Sequence, residues 1–406
     1  MISFEESQRL IEKYVKAGST VELPLLESIG LTLTRPVAAR TDNPRFNASA
    51  VDGYAVSLAD FSGVVPVTLP LSHAVHAGTA STKPMKPGTA VRILTGAQVP
   101  NGTDAIVMQE HVTTLANRIT ISQIPHAGAN IRTKGGEFLK GTQLFEQGTL
   151  VTPAVAQSLA ACGYSRVKVH ARPSVSLIVT GDELRTPSSK LKPGEIWDSN
   201  SIGLEAVCRM LGITKLQRTH VSDNVRETTK AVHNALQHSD VSMVTGGVSV
   251  GDRDYVKEAF TRNGVREIFW QVSIRPGMPI YFGLKHIKGK PRYIFGLPGN
   301  PVSVMVTFQL YVRPVILHMM GHNILLERSK GILATPLKKS IPRTEFVRAY
   351  RASAGSDPPR LLPLNARDSH MTTGMAKADS LIVFPAEKAF LDAGTFVEYI
   401  PIRWSY

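Results

Sequence analysis

The stretch VSMVTGGVSVGDRDYVKEAF, Val241 to Phe260, joins a short β-branched run (Val241 to Val244) through a Gly-rich loop (Thr245 to Tyr255) to a segment with apolar residues at helical spacing. A buried strand that feeds a helix in this way is the unit of a parallel sheet covered on both faces. The unit recurs on either side. Val175 to Val179, Leu216 to Val221, Glu267 to Val272 and Tyr293 to Gly296 read as further strands. Ser201 to Leu211, Val225 to Leu236 and Val256 to Thr261 carry apolar residues three and four apart, and Val302 to Met320 reads as a long closing helix. Residues from about 172 to 322 therefore predict one doubly wound α/β domain. The amino-terminal segment, with Ser3 and Glu6 spaced as a capping box, predicts an amphipathic helix that packs on it.

Outward from this domain the pattern changes. Residues from about 21 to 171 show short alternating runs (Val65 to Leu69, Val91 to Leu94, Ala105 to Met108, Arg118 to Ser122) between Gly, Pro and Asn turns, which predicts a β-rich region. One helix interrupts it, with Thr152 as N-cap, Pro153 at its first position and Gly163 past its end. After about residue 323, Phe346 to Arg351, Arg360 to Leu364, Leu381 to Phe384 and Phe396 to Ile400 predict a small terminal β domain. The fold class is α/β plus β-rich domains.

Hydrophobic residues make up 43% of the 406 and charged residues 19%, a globular composition. The two cysteines, Cys162 and Cys208, form no CxxC pair, so neither a disulfide framework nor a zinc ribbon is available and a reducing cytoplasm is expected. The amino terminus lacks the apolar core of a secretory signal, and Arg313 and Pro314 interrupt the most apolar stretch, so no membrane span is expected. Lys plus Arg outnumber Asp plus Glu by 46 to 32, a net +14 that attracts anions. The charge is scattered and aromatics are 7%, so a small anionic substrate fits better than nucleic acid.

Ligands of open α/β sheets bind beyond the carboxyl ends of the strands. The loops expected there are Thr180-Gly181-Asp182-Glu183, Ser222-Asp223-Asn224, Thr245 to Tyr255, Arg275-Pro276-Gly277-Met278-Pro279 and Pro298-Gly299-Asn300-Pro301-Val302-Ser303. Gly246, Gly247, Ser249 and Gly251 let backbone N–H groups approach a phosphate, although such a turn serves structure as readily as function, and this one lacks a P-loop lysine and a dinucleotide fingerprint. Asp182, Glu183, Asp223, Asp252 and Asp254 would repel one another at one edge. A hard cation such as Mg2+ beside substrate phosphate relieves that, as would helix caps or arginine partners. In the β-rich region, SAVDGYA (Ser49 to Ala55) and LTGAQVP (Leu94 to Pro100) place Asp52 and Thr95 at tight turns. No HExxH, GxSxG or Cys/His nucleophile pattern appears.

Six segments in order, SAVDGYAV (49 to 56), VRILTGAQVPNGTDAIVMQE (91 to 110), NIRTKGGE (130 to 137), TGDEL (180 to 184), TGGVSVGDRDY (245 to 255) and FGLPGNPVS (295 to 303), closely resemble molybdopterin molybdenumtransferase, the MoeA family that includes the gephyrin E domain. The resemblance implies an L-shaped homodimer of four-domain subunits: a linking domain (21–40 and 142–171), a β-rich arm (41–141), a doubly wound domain similar to the molybdopterin adenylyltransferase fold (1–20 and 172–322) and a C-terminal β-barrel-like domain (323–406). It implies that adenylylated molybdopterin and molybdate give molybdenum cofactor and AMP with Mg2+, and contact with molybdopterin adenylyltransferase and molybdoenzyme chaperones. Carried over by position, Asp52, Thr95, Glu183, Asp223 and Asp254 match catalytic residues, with Asp52 and Thr95 reaching in from the arm of the partner subunit. Glu183, Asp223 and Asp254 match the metal site. Pro298 and Pro301 match the pterin-side turn, and Arg348 and Ser369 match the terminal domain's contribution to molybdate or substrate binding; Gly246, Gly247, Ser249, Gly251, Arg275, Gly299, Asn300 and Ser303, in the edge loops, are expected to bind substrate with them. The family often has Asp where Glu137 stands and KPGKP where this chain has Arg275 to Pro279, so Met278 removes a cation. That departure is the basis of an alternative reading, a catalytically weakened paralogue that binds molybdopterin or acts as a scaffold.

Overall fold

The computed structural model describes residues 1–79, 83–247, 255–323, 325–340, 342–352, 358–365 and 368–405. The chain opens on α1 (Phe4–Tyr14), where the Ser3 hydroxyl accepts the Glu6 N–H at 3.0 Å and Phe4, Ser7 and Ile11 form the buried stripe. The polypeptide divides into two compact units, one of Met1–Glu22, Gly30–Thr34 and Lys168–Tyr406, the other of Leu23–Ile29 and Arg35–Val167.

The smaller unit is built on six strands, β1 (Gly53–Val56), β2 (Val67–Val75), β3 (Ala90–Ile93), β4 (Ala105–Met108), β5 (Val112–Leu115) and β6 (Arg118–Ile121), in the order β4-β1-β3-β2-β6-β5. Tyr54, Val56, Leu69, Ile119 and Ile121 meet in its core. The segment read from sequence as a turn, Ser49 to Ala55, is in part β1, an interior strand whose four residues are all buried. Gly53 is required there because a Cβ would lie 2.2 Å from the Val107 carbonyl oxygen of the neighbouring strand. The helix α2 (Pro153–Ala161) begins where expected, with Thr152 Oγ1 accepting the Val155 N–H, and Gly163 follows it at φ 82°.

In the larger unit, β7 (Val175–Thr180), α3 (Ser199–Met210), β8 (Leu216–Val221), α4 (Val225–His238), β9 (Val241–Thr245), α5 (Tyr255–Arg262), β10 (Arg266–Trp270), β11 (Ile274–Arg275), β12 (Tyr281–Ile287), β13 (Lys290–Leu297) and α6 (Pro301–Met319) follow one another. The sheet order is β8-β7-β9-β13-β12-β10. β8, β7, β9 and β13 are parallel, and β12 is antiparallel to both its neighbours. From β7 the chain crosses to β8 on one side, while from β9 it leaves for the other, so the crevice between the ends of β7 and β9 is the topological switch point.

The α4 and α5 helices bury Val232, Leu236, Val256 and Phe260 against Ile178 and Ile294 of the sheet. The α6 helix runs through the expected interruption. Pro314 cannot donate to Leu310, residues Phe308–Val312 widen into a π segment, and Gln8 Nε2 donates to the freed Leu310 carbonyl at 3.3 Å. Although α6 is long and apolar enough to span a bilayer, 83% of its apolar window is buried inside the protein.

The rest of this unit is a closed barrel. β14 (Ser329–Leu333), β15 (Thr344–Arg351), β16 (Arg360–Pro363), β17 (Ser380–Phe384) and β18 (Phe396–Pro401) pair in the order β15-β16-β14-β18-β17, and β17 pairs back onto β15. Leu333, Val347, Leu361, Ile382, Phe384 and Val397 fill it. The two-residue strand β11, which follows β10 of the α/β sheet, belongs to the barrel sheet and pairs in parallel with β15, which ties the Arg275 loop to the barrel.

Candidate functional site

At the switch point β7 ends in Thr180-Gly181 and β9 in Thr245-Gly246-Gly247. Gly246 and Gly247 adopt φ 93° and 63°, and a Cβ on Gly246 would lie 2.4 Å from the Thr180 carbonyl oxygen, so only glycine lets the two loops approach this closely. The expected residues Ser249, Gly251 and Asp254, and Asp252 with them, lie outside the described residues. Asp182 and Glu183 follow β7 and are exposed; Asp223 follows β8, and its N–H donates to Asp182 Oδ1 at 3.3 Å. The structure thus brings the Asp182 and Asp223 loops together. Asn224, not an acid, caps α4 by accepting the Glu227 N–H at 2.8 Å. Glu195 holds the neighbouring Arg185, and among the described residues no Lys or Arg forms an ion pair with Asp182, Glu183 or Asp223. Among the described residues no three acidic, His or Cys side chains converge as a ligand set.

Asn200 was not singled out from the sequence, where it reads only as part of a helix start. Its Nδ2 donates to the Gly299 carbonyl at 2.7 Å and to Thr245 Oγ1 at 3.3 Å, which fixes the amide orientation and links α3 to the β9 and β13 loops. Its Oδ1 and the nearby Thr180 Oγ1 are buried without a hydrogen-bond partner. Two orphaned polar atoms beside the switch point suit a polar ligand that completes them.

Next to this rim is a cavity of about 500 Å³ that gathers Arg275, Pro298, Asn300, Ser303, Arg348 and Ser369 from the α/β loops and the barrel. Asn300 precedes the first residue of α6 and makes no side-chain cap, so its amide is free to face the cavity. Pro301 starts α6, and the Val302 N–H donates to the Ser369 carbonyl at 3.1 Å, stitching the barrel turn to the helix start. Arg348 is buried, and Nη1 and Nη2 donate to the carbonyls of Met371 and Asp368 at 2.9 and 3.0 Å. Burial lowers its pKa from the ordinary arginine value, an effect the Asp368 carboxylate opposes. Met278 lines the same cavity, so the departure noted in the sequence lies inside it.

In the smaller unit, Asp52 Oδ1 accepts both the N–H and the hydroxyl of Thr95, at 2.7 and 2.8 Å. The N–H bond and then the hydroxyl hold the Asp52 carboxyl below its ordinary pKa, with Arg92 adding to the effect. The two residues carried over as a catalytic acid and hydroxyl are thus one hydrogen-bonded pair.

Three family descriptions match in sequence: the MoeA N-terminal region (domain I and II) over residues 2–163, a probable molybdopterin binding domain over 176–318, and the MoeA C-terminal region (domain IV) over 330–402. A molybdopterin molybdenumtransferase 2 from Mycobacterium tuberculosis is 34% identical, covering 97% of this chain and 98% of the relative. The molybdopterin molybdenumtransferase of Haemophilus influenzae is 31% identical, covering 99% of each. The crystal structure of a molybdopterin biosynthesis MoeA protein from Pyrococcus horikoshii superposes with a TM-score of 0.79 at 25% identity, over 99% of this chain and 100% of that one. The chain belongs to the molybdopterin molybdenumtransferase (MoeA) family, transferases of molybdenum cofactor biosynthesis.

Proposed function

We propose that this protein inserts molybdate into adenylylated molybdopterin with release of AMP, in a Mg2+-dependent reaction. The observation that carries the reading is the adjacency of two features: a glycine rim with orphaned Thr180 and Asn200 oxygens and unpaired carboxylates, and a cavity lined by arginines. The first suits a phosphoric anhydride and a cation, the second an oxyanion. The donor set fits Mg2+, which takes one or two carboxylates plus substrate phosphate, and Asp223 and Glu183 with Asp254 are the residues that would hold it. When bound, the ion supplies charge neutralisation at the anhydride oxygens. Gly246 and Gly247 let backbone approach the phosphate, the Thr180 hydroxyl donates to a phosphate oxygen, Asn200 Oδ1 accepts from a hydroxyl or N–H of the substrate, and Ser303, Asn300 and Ser369 line the space for its pterin end. The Asp52 carboxylate stays ionised and orients the Thr95 hydroxyl, and in a homodimer this pair serves the partner's site.

The four-domain division, the homodimer, contact with molybdopterin adenylyltransferase and molybdoenzyme chaperones, and a reducing cytoplasmic setting belong to the same proposal. Buried, unpaired Cys162 and Cys208 support the last, and burial pushes the Cys208 thiol up to about 12, which keeps it inert. In a single-turnover assay with excess protein, Mg2+ and molybdate, AMP is expected to appear stoichiometrically with substrate consumed. Met278 in the cavity favours a second reading, a molybdopterin-binding scaffold. In that case a well-folded protein retains the adenylylated substrate intact and no AMP appears.

A further inference from the structure

At the edge of the α/β sheet opposite the switch point, the fold gathers positive charge that the proposed reaction does not use. A cavity of about 490 Å³ is lined by Lys13, Lys16, Arg266 and Lys285, with Tyr14 and His286 beside them and, among the described residues, no acidic side chain. The four cations come from three separate stretches of sequence, so no basic run announces them. Lys285 and His286 stand opposite Arg292 and Pro291, near the start of β13, whereas the rim of the candidate site follows the end of that strand. At about 3.3 Å per residue the two places lie roughly 20 Å apart.

Packing fixes the lining. The Tyr293 hydroxyl accepts the Lys16 N–H at 2.9 Å and donates to the Tyr14 carbonyl at 3.3 Å, which pins the end of α1 to the sheet. Arg266 lies opposite Leu284 in the β10–β12 pair, and its Nη2 donates to the Tyr14 hydroxyl at 3.2 Å. Lys13 and Arg266 both stand over the Tyr14 ring, 5.5 and 5.2 Å from its centre. Structural duties account for part of this charge: Lys13 complements the carboxyl end of α1, and Lys285 Nζ donates to the Asn263 carbonyl just past α5. They do not account for the missing counter-charge. The nearby carboxylates Glu258 and Glu267 are paired with Arg262 and Lys257, and among the described residues none of the four lining cations forms an ion pair. Like charges around one cavity repel, and a bound anion relieves that.

Shape and lining select the class of anion. The volume is that of a small-molecule site. A nucleic-acid strand needs an aromatic face on which a base can stack, and Tyr14 already carries two cations. A lipid surface needs exposed apolar side chains, and Leu284, the apolar member of the lining, is buried. We propose that this cavity is a second anion site, separate from the candidate active site, and that it takes a compact phosphate chain of two or more phosphates, either inorganic or at the end of a nucleotide.

The test is a calorimetric titration of the full-length protein with inorganic pyrophosphate and with ADP, in EDTA. The double variant K13Q/K16Q changes two exposed side chains, and it is expected to bind about tenfold or more weakly with an unchanged thermal midpoint. Pyrophosphate bound as tightly as ADP makes the phosphate chain alone the ligand, and tighter binding of ADP makes it a nucleotide. A second measurement needs no variant: acetylation of Lys16 in the wild-type protein by an N-hydroxysuccinimide ester, mapped by mass spectrometry, is slowed by pyrophosphate. Pyrophosphate held at the switch-point rim would leave both readouts unmoved. K13Q/K16Q that binds as tightly as wild type, or Lys16 acetylated at the same rate with and without pyrophosphate, therefore overturns the proposal, as does wild-type protein that binds neither anion. Protection of Lys16 by duplex DNA or by anionic phospholipid vesicles, and not by pyrophosphate, overturns it as well.

Discussion

Asp52 carries a carboxylate whose two acceptor bonds come from a single residue, Thr95, and this sets its acid–base behaviour. Because its folded pKa is lowered, the pair contributes stability that is present above the ordinary aspartate pKa and lost as pH falls through the depressed folded value. Thr95→Val removes the hydroxyl donor but keeps the N–H. The Asp52 pKa, followed by the carboxyl 13C shift, should therefore rise part of the way to its ordinary value, and the acid limb of stability should move to higher pH. At the other unit, Met278 is an apolar part of the wall of a cavity that Arg275 and Arg348 also line. Met278→Lys should tighten molybdate binding severalfold by adding a cation with few competing partners, which titration of the variant measures directly. The site residues most legible in the sequence were those in Gly/Pro-rich turns, since a turn such as Pro298 to Ser303 has few reasons to be so constrained. Asn200 was not legible. Its significance lies in an acceptor, Oδ1, that remains unspent after folding, and its placement depends on partners 45 and 99 residues away in sequence, Thr245 and Gly299.

Elements were recognised where their pattern was local. The strands β7 and β9 and the helices α3 and α4 followed from apolar spacing, because each buries a continuous or periodic face, whereas β8, an edge strand, buries only Val221. β1 was hidden behind Asp52-Gly53, which carries the chemistry of a turn, and Gly53 is there because a neighbouring carbonyl leaves no room for a side chain. β12 was missed although Lys288 and Gly289, at φ 51° and 76°, turn it tightly into β13; the apolar run is broken by Gly283, where a Cβ would meet the Val265 side chain at 2.6 Å. The turn after β9 tests how far the switch point depends on glycine. Gly246→Ala combines a left-handed backbone with a 2.4 Å approach to the Thr180 carbonyl, and should cost about 2–4 kcal/mol. A lower urea midpoint reads that cost, and a midpoint equal to wild type would mean that the two loops can separate without penalty.

At the scale of the whole molecule, the larger unit does two things. Its α/β sheet presents a switch-point crevice with carboxylates on the β7 and β8 loops, and β11, which follows the sheet's edge strand β10, pairs with the barrel, so that a cavity forms between sheet loops and barrel strands. Barrel closure, through the return of β17 onto β15, was expected from the family resemblance and not from the strand pattern, because strand partners there are joined by pairing and not by proximity along the chain. The net charge of +14 makes the surface receptive to anions in general, whereas arginines gathered inside one cavity make it selective for where an oxyanion settles. The central claim is that rim and cavity are one site, with the nucleotide-bearing pterin spanning from one to the other. A crystal structure of the protein with adenylylated molybdopterin and molybdate tests it most directly. The account predicts the anhydride phosphates at Gly246, Gly247 and the Asp182–Asp223 loops, and the oxyanion in the cavity lined by Arg275 and Arg348. Phosphates or oxyanion bound elsewhere on the chain, with those side chains untouched, would contradict it.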